Sequence, residues 1–321
     1  MPYDPSIAVY YEHPDWFRPL FRELERRGLP YHTIHADQQV VDPSAAPPQT
    51  SLFFNRMSPS AWERGHGGSV FFTLHYLAGL EAAGVPVLNG SDAYRLDINK
   101  GLQTSLLDQL GLSTPRTRVV FRRQQLAAAA AELTFPLIVK PNIGGNGAGI
   151  VRAETPADLD AAVEAGEILA GPDGVLLLQE YHPPRGDSIV RVETLEGRFL
   201  YAIRIHLGRE TFSLCPADVC SLVSGESLDS EARPAGHGND ARVEPFTPSP
   251  QVIAEVERIA RAARLDVGGV EYLDSERDGR RYYYDVNALS NFVADAEKVV
   301  GFDPTARLVD SLLGRLTAKA A

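Results

Sequence analysis

The sequence predicts an α/β chain that becomes α+β in its C-terminal part, and three observations carry that expectation. Short apolar runs alternate with helix-periodic segments through the first hundred residues, which implies a parallel sheet. Past residue 184, strand-like runs follow one another directly, across Glu196-Gly197 and again across residues 275–280, as antiparallel hairpins do. Of 321 residues, 44% are apolar and 23% charged, a balance that supports a large buried core.

Residues 6–11 read as the first strand. Phe17, Leu20, Phe21 and Leu24 then recur at helical spacing until Gly28 stops the helix. Runs 31–34 and 52–55 read as strands, 70–83 as a helix closed by Gly84, and 85–88 as a buried strand. From residue 99 a helix at 100–110 ends at Gly111, a strand covers 116–121, and an Ala-rich helix covers 125–133. Strand 137–140 leads into a glycine-dense segment. A helix at 157–170, a buried run at 175–179 and strands at 188–194 and 199–205 follow. Residues 207–245 read as a long polar loop or lid, and 251–264 as an amphipathic helix.

Several function classes are disfavoured at this level. Lys and Arg number 31 against 42 Asp and Glu, so the net charge is −11, which argues against a nucleic-acid partner. No stretch approaches the roughly 18 to 20 apolar residues of a membrane span, and the N-terminus lacks the pattern of a secretory leader. The chain is therefore expected in the cytoplasm, with no membrane partner. Cys215 and Cys220 have neither a second cysteine pair nor nearby histidines, and read as reduced thiols. The first strand runs into Glu12-His-Pro-Asp-Trp16, not a glycine-rich turn, which excludes a dinucleotide fold there.

Three segments carry chemistry. Lys140 ends a buried strand and is followed by Gly144, Gly145, Asn146, Gly147 and Gly149. A fixed cation thus stands beside a backbone able to wrap phosphate oxygens, although the same text reads as a glycine hairpin beside a surface lysine. No Lys-Ser/Thr closes the segment, so it is not a Walker A loop. Gln179-Glu180-Tyr181 ends an apolar strand, where main-chain groups are placed to meet the edge of a purine. Asp285 and Asn287 sit at i and i+2 of a strand and share a face, with Glu271 on the strand before. Hard oxygen donors of this kind suit Mg²⁺. A three-residue loop, Arg277-Asp278-Gly279 with Gly279 at positive φ, would set Glu271 opposite Asp285.

In this order, Lys100, Lys140, the glycine segment, Gln179-Glu180-Tyr181, Asp187, Arg191, Arg204, Glu271, Asp285 and Asn287 resemble the ATP-grasp superfamily, and residues from about 89 onward look like the RimK-like α-L-glutamate ligases. The resemblance implies an N-terminal α/β domain (1–98), a small ATP-grasp subdomain with the glycine loop (99–183) and a C-terminal subdomain with the metal site (184–321). It implies ATP and two Mg²⁺ ions, or Mn²⁺, as cofactors. Lys100 and Lys140 match the phosphate-binding lysines, and Gly144 to Gly149 the loop that closes over them. Glu180 and Tyr181 match the adenine hinge, with Asp187 an acidic residue near the nucleotide. Glu271, Asp285 and Asn287 match the metal ligands, with Glu and Asp exchanged relative to the usual order. Two departures bear on the acceptor: residues 211–215 replace the family's Arg-Ser-Asn segment, and Leu289-Ser-Asn-Phe292 replaces a small-residue turn.

The activity so implied is ATP-dependent ligation of a carboxylate to an amine through an acyl phosphate, with release of ADP and phosphate. Arg204, with Arg191 behind it, is the expected oxyanion stabiliser. Arg56 reads either as a carboxylate clamp or as the partner of Glu63; His66 as a substrate contact or a loop cap. Ser290 and Asn291, beside the metal strand, complete the expected substrate set. A small-molecule kinase and a non-catalytic nucleotide-binding regulator remain as alternatives. The expected partners are a small carboxylate and an amine, amino acid or peptide, and a homodimer is left open.

Overall fold

The computed structural model describes residues 6–145, 147–207, 242–293 and 295–320. Strands β1 (Ile7–Tyr11), β2 (Tyr31–His35), β3 (Leu52–Arg56) and β4 (Val87–Leu88) form a parallel sheet in the order β2-β1-β3-β4. Parallel neighbours need crossovers, supplied here by α1 (Arg18–Arg26) between β1 and β2 and α2 (Gly67–Ala82) between β3 and β4. Strand addition reverses between β1 and β3, which opens a crevice at their C-terminal ends. A 3₁₀ turn, Pro59–Arg64, follows β3 there, and the Ser58 side chain caps it by accepting from Ser60 N–H.

Helices α3 (Ser91–Asp97) and α4 (Lys100–Gln109) lead to the second sheet, and the Asn99 side chain caps α4 at Leu102 N–H. That sheet is antiparallel, order β5-β8-β6-β7, from β5 (Thr117–Val120), β6 (Leu137–Pro141), β7 (Val151–Ala153) and β8 (Leu176–Glu180). Helices α5 (Leu126–Ala130) and α6 (Pro156–Glu164) cover one face through Leu126, Leu159, Leu137, Val139, Leu176 and Leu178. The third sheet holds β9 (Ser188–Leu195), β10 (Arg198–His206), β11 (Val243–Phe246), β12 (Val267–Asp274) and β13 (Arg281–Asn287), order β11-β10-β9-β12-β13, all antiparallel. Helix α7 (Pro250–Ala262) packs on one face of it, while α8 (Ala296–Val300) and α9 (Pro304–Ala320) follow β13.

Each expected segment thus contributes one sheet, but the apolar core does not divide in the same way. Ile7, Val9 and Leu24 pack in one cluster with Ile203, Ile205, Val309 and Leu312. Asn89 reinforces that junction. Its Nδ2 donates to the carbonyls of Val267 and Ala288, and its Oδ1 accepts from the N–H groups of Asp266 and Val267.

Four expectations change. The helix read at 157–170 ends at Glu164, because Gly166 at φ 73° stops it. The end of the expected 207–245 loop is strand β11, held by β10; residues 208–241, with Cys215, Cys220 and the 211–215 segment, lie outside the described residues. Helices α3, α8 and α9 and strand β7 were not anticipated. Finally, Glu271 does oppose Asp285 and Gly279 does have φ 72°, but by another route. The loop is closed by Ser275 and Arg280, so four residues, not three, make the turn. A bulge at Tyr284 restores the register.

Candidate active site

A cavity of about 440 Å³ opens between the second and third sheets. Strand parity explains its lining. Ile138 and Lys140 on β6 and Gln179 on β8 share the face that looks into it, while Leu137, Val139 and Leu178 look toward the helices. From the third sheet come Ile189, Leu273, Glu271, Tyr284 and Asp285. The cavity therefore combines apolar walls with Lys100 and Lys140 on one side and Glu271 and Asp285 on the other, while Arg152, Glu180 and Asp187 also line it.

Lys100 begins α4, and its Nζ stands 2.6 Å from Asp285 Oδ1 with only 14% of the side chain exposed. Burial disfavours its charge, but Asp285 more than offsets this and holds the ammonium above its usual range. Lys140 is 6% exposed and donates to Gln179 Oε1 at 3.0 Å, while Gln179 Nε2 donates to Thr117 Oγ1 at 2.8 Å. Burial, together with the charge of Lys100, pushes Lys140 down to about 8. Two cations in one pocket repel each other, and an anion bound between them would relieve that repulsion.

The carboxylates come from paired positions on β12 and β13. Glu271 Oε1 accepts from Arg191 Nη1 at 2.9 Å, and Oε2 from the Tyr284 hydroxyl at 3.1 Å. Arg191 is itself 5% exposed and also donates to Glu193 at 2.6 Å. Gly269 makes room for it, since a Cβ there would stand 2.7 Å from the guanidinium. Burial raises Glu271, whereas Lys100 overcomes burial at Asp285 and keeps it low. Asn287 Nδ2 donates to Asp285 Oδ2 at 3.3 Å, so the third oxygen-bearing side chain stands beside the second. Among the described residues no group of three or more His, Cys, Asp or Glu could hold a metal. Two carboxylates and an amide on one sheet face fit a hard divalent cation.

The other expected residues divide. Gly144, Gly145 and Gly147 line the cavity; Gly147 and Gly149 have φ 73° and 72°, and Asn146 lies outside the described residues. A Cβ on Gly145 would meet Ser60 at 3.3 Å, so the glycine segment touches the turn that follows β3. Asp187 lies exposed at the rim with φ 45°. Glu180 and Tyr181 line the cavity, and their N–H groups donate to the Arg116 and Pro136 carbonyls, which leaves only their C=O groups for the purine edge expected there. The Glu180 side chain accepts from Thr134 N–H, and Tyr181 lies under the Arg152 guanidinium at 4.1 Å.

Arg204 does not reach the cavity. It pairs with Val190 while Arg191 pairs with Ile203, so the two arginines lie on opposite faces of the sheet. Arg204 stacks on Phe246 at 4.2 Å. Arg56, 3% exposed, donates to the Ser290 carbonyl and to Asn291 Oδ1, between the rings of Phe17 and Phe54; Nε and Nη1 have no partner, and burial pushes it down to about 10. It holds the turn after β13 and does not line the cavity. Ser290 is buried beside Arg191. His66 Nδ1 pairs with Glu12 at 2.6 Å, in a cluster with Arg64 away from the cavity lining. Glu12, Asn89, Gln103, Asn142 and Tyr284 take up buried or site positions, and Arg64 pairs with the buried Glu12, in ways that no motif in the sequence announces. No spacing pattern marks a buried amide, and only the helix-start position of Gln103, three residues after Lys100, offered a signal.

No family model matches the chain. The carbamoyl phosphate synthase large chain of Brucella melitensis biotype 1 is 29% identical over 253 residues, covering 75% of this chain and 21% of that protein. The D-alanine–D-alanine ligase of Ectopseudomonas mendocina is 36% identical over 119 residues, 36% of this chain and 37% of its own length. The chain thus spans about a fifth to just over a third of these curated relatives. Among solved structures, the ATP-grasp ligase PsnB bound to a precursor variant, Mg and ADP superposes with a TM-score of 0.67 at 20% identity, covering 98% of this chain and 99% of that one. A RimK domain ATP-grasp protein from Sphaerobacter thermophilus gives 0.66 at 20% identity, over 95% and 98%.

Proposed function

We propose that this chain, which has the ATP-grasp fold, is an ATP-dependent ligase that joins a carboxylate to an amine through an acyl phosphate. One observation carries the reading: Lys100, Lys140, Glu271 and Asp285, far apart in sequence, converge on a single cavity with apolar walls. The walls formed by Ile138, Ile150, Leu273 and Tyr181 suit a base, and the lysines suit phosphates.

Glu271, Asp285 and Asn287 would hold Mg²⁺, which when bound offsets charge on the phosphate oxygens. Lys100 then exchanges Asp285 for a phosphate oxygen, and Lys140 does the same with Gln179. Both reduce the repulsion that a carboxylate meets as it attacks the terminal phosphorus. Arg191 acts one layer back: it orients Glu271 and opposes the rise that burial imposes on this carboxylate. Gly144, Gly145 and Gly147, which line the cavity, would exclude water, because an acyl phosphate left open to solvent would hydrolyse before the amine arrived. Arg204 has no part at the reacting carbon in this reading. Two cofactor ions, an amino-acid or peptide acceptor and a homodimer belong to the same proposal.

The test is product mass after incubation with ATP, Mg²⁺ and a panel of amino acids. ADP forms only with a matching acid, and an amide mass appears only when both partners are present. Asp285→Ala lowers turnover at least about a hundredfold. ADP release without an amine, with a stable phosphorylated product, would instead identify a kinase.

A further inference from the structure

We infer that Gln103 is a positioning residue for the phosphate and metal site: its buried amide keys α4 to β13 and so sets where Lys100 stands against Asp285. The inference rests on the function proposed above. β13 is an outer strand of its sheet, so its outward backbone groups have no neighbouring strand to pair with. Gln103, 1% exposed, supplies both missing partners at Val286: Oε1 accepts from the N–H at 3.1 Å and Nε2 donates to the C=O at 2.9 Å. One side-chain amide takes the place of a peptide unit of an added strand.

The location gives this pairing its consequence. Val286 lies between Asp285 and Asn287, so the two bonds fix the backbone from which both project. Lys100 is three residues earlier on the same helix, hence on the neighbouring turn of the same face. A second amide holds the other side of that turn. Asn142 Oδ1 accepts from Gly101 N–H at 3.0 Å, two residues after Lys140. The start of α4 is thereby clamped between the strand that carries Lys140 and the strand that carries Asp285. Nε2 of Gln103 also reaches the Leu96 carbonyl at 3.1 Å, which ties α3 to the same point. An apolar side chain of equal length leaves two buried backbone groups unpaired and lets α4 turn or slide. The 2.6 Å contact between Lys100 and Asp285 is then the first to lengthen.

The experiment compares Gln103→Met with Leu107→Ala, a core truncation further along the same helix. ATP affinity is measured by calorimetry with and without Mg²⁺, at a temperature where both variants are folded. Acetylation of Lys100 in the nucleotide-free protein is followed by mass spectrometry. Gln103→Met loses about tenfold of the Mg²⁺-dependent gain in ATP affinity, and its Lys100 is acetylated several-fold faster. Leu107→Ala keeps both values of the unmodified chain while losing stability. The role is overturned if Gln103→Met retains both values, or if Leu107→Ala loses them equally. Should Gln103→Met not fold, Gln103→Glu, which keeps an acceptor for Val286 N–H, is read in the same way. An unmodified chain without Mg²⁺-dependent ATP binding would remove the ligase reading, while the acetylation comparison would still decide the geometry.

Discussion

Lys140 shows how one residue can tie ligand binding to pH. Burial and the neighbouring Lys100 lower it to about 8, so the free protein loses this ammonium as the pH passes from 7 to 9. A polyanion binds the charged form and draws a proton back. ATP affinity should therefore fall above pH 8, by up to about tenfold per unit where only the protonated form binds. Lys140→Arg keeps its charge and should flatten that slope in a calorimetric pH series. The effect on stability has the opposite sign. The folded value lies below the unfolded one, so the unfolded chain binds more protons between about pH 8 and 10.5, and this group's contribution to stability rises with pH across that window.

At the scale of elements, the β12–β13 hairpin does most to place the site. Its turn is even-numbered and its β13 strand carries one residue too many, and the two irregularities cancel at Glu271 and Asp285. The bulged residue, Tyr284, is not idle: it lines the cavity and its hydroxyl donates to Glu271. Register here is held by the Gln103 amide at Val286 as well as by the turn. Gly279→Ala should therefore cost about 1 to 2 kcal/mol, because it forces an L side chain into φ 72°, yet leave ATP binding unchanged. Loss of ATP affinity in a folded Gly279→Ala protein would mean that the turn sets the register.

Across the whole molecule, the N-terminal sheet is fastened to the third sheet by shared apolar packing and by Asn89. Asn89→Asp removes two donors and leaves the Val267 and Ala288 carbonyls facing a carboxylate, which should cost about 3 kcal/mol. The two tryptophans, Trp16 and Trp62, both report on the N-terminal sheet, whereas circular dichroism reports on all three. Denaturant curves of this variant by the two probes should shift together to a lower midpoint. Separate transitions would show that the N-terminal sheet's own cluster of Tyr10, Phe53, Val70 and Leu77 holds it folded independently of that junction.

Taken by itself, the amino-acid order determined the alternation of strands and helices, the glycine segment after Lys140 and the face shared by Asp285 and Asn287. These follow from local rules, a period of two along a strand and the backbone freedom of glycine, which need no knowledge of neighbours. Only the tertiary structure decided which strand pairs with which, and so on which face each arginine lies. That is why Arg191 stands behind Glu271 while Arg204, one position out of phase across the ladder, looks the other way. It also decided that Gln103, Asn142 and Asn89, polar residues that a pattern assigns to solvent, are buried at junctions. A buried amide is stable only where unpaired backbone groups meet it, and those meetings arise between segments distant in sequence.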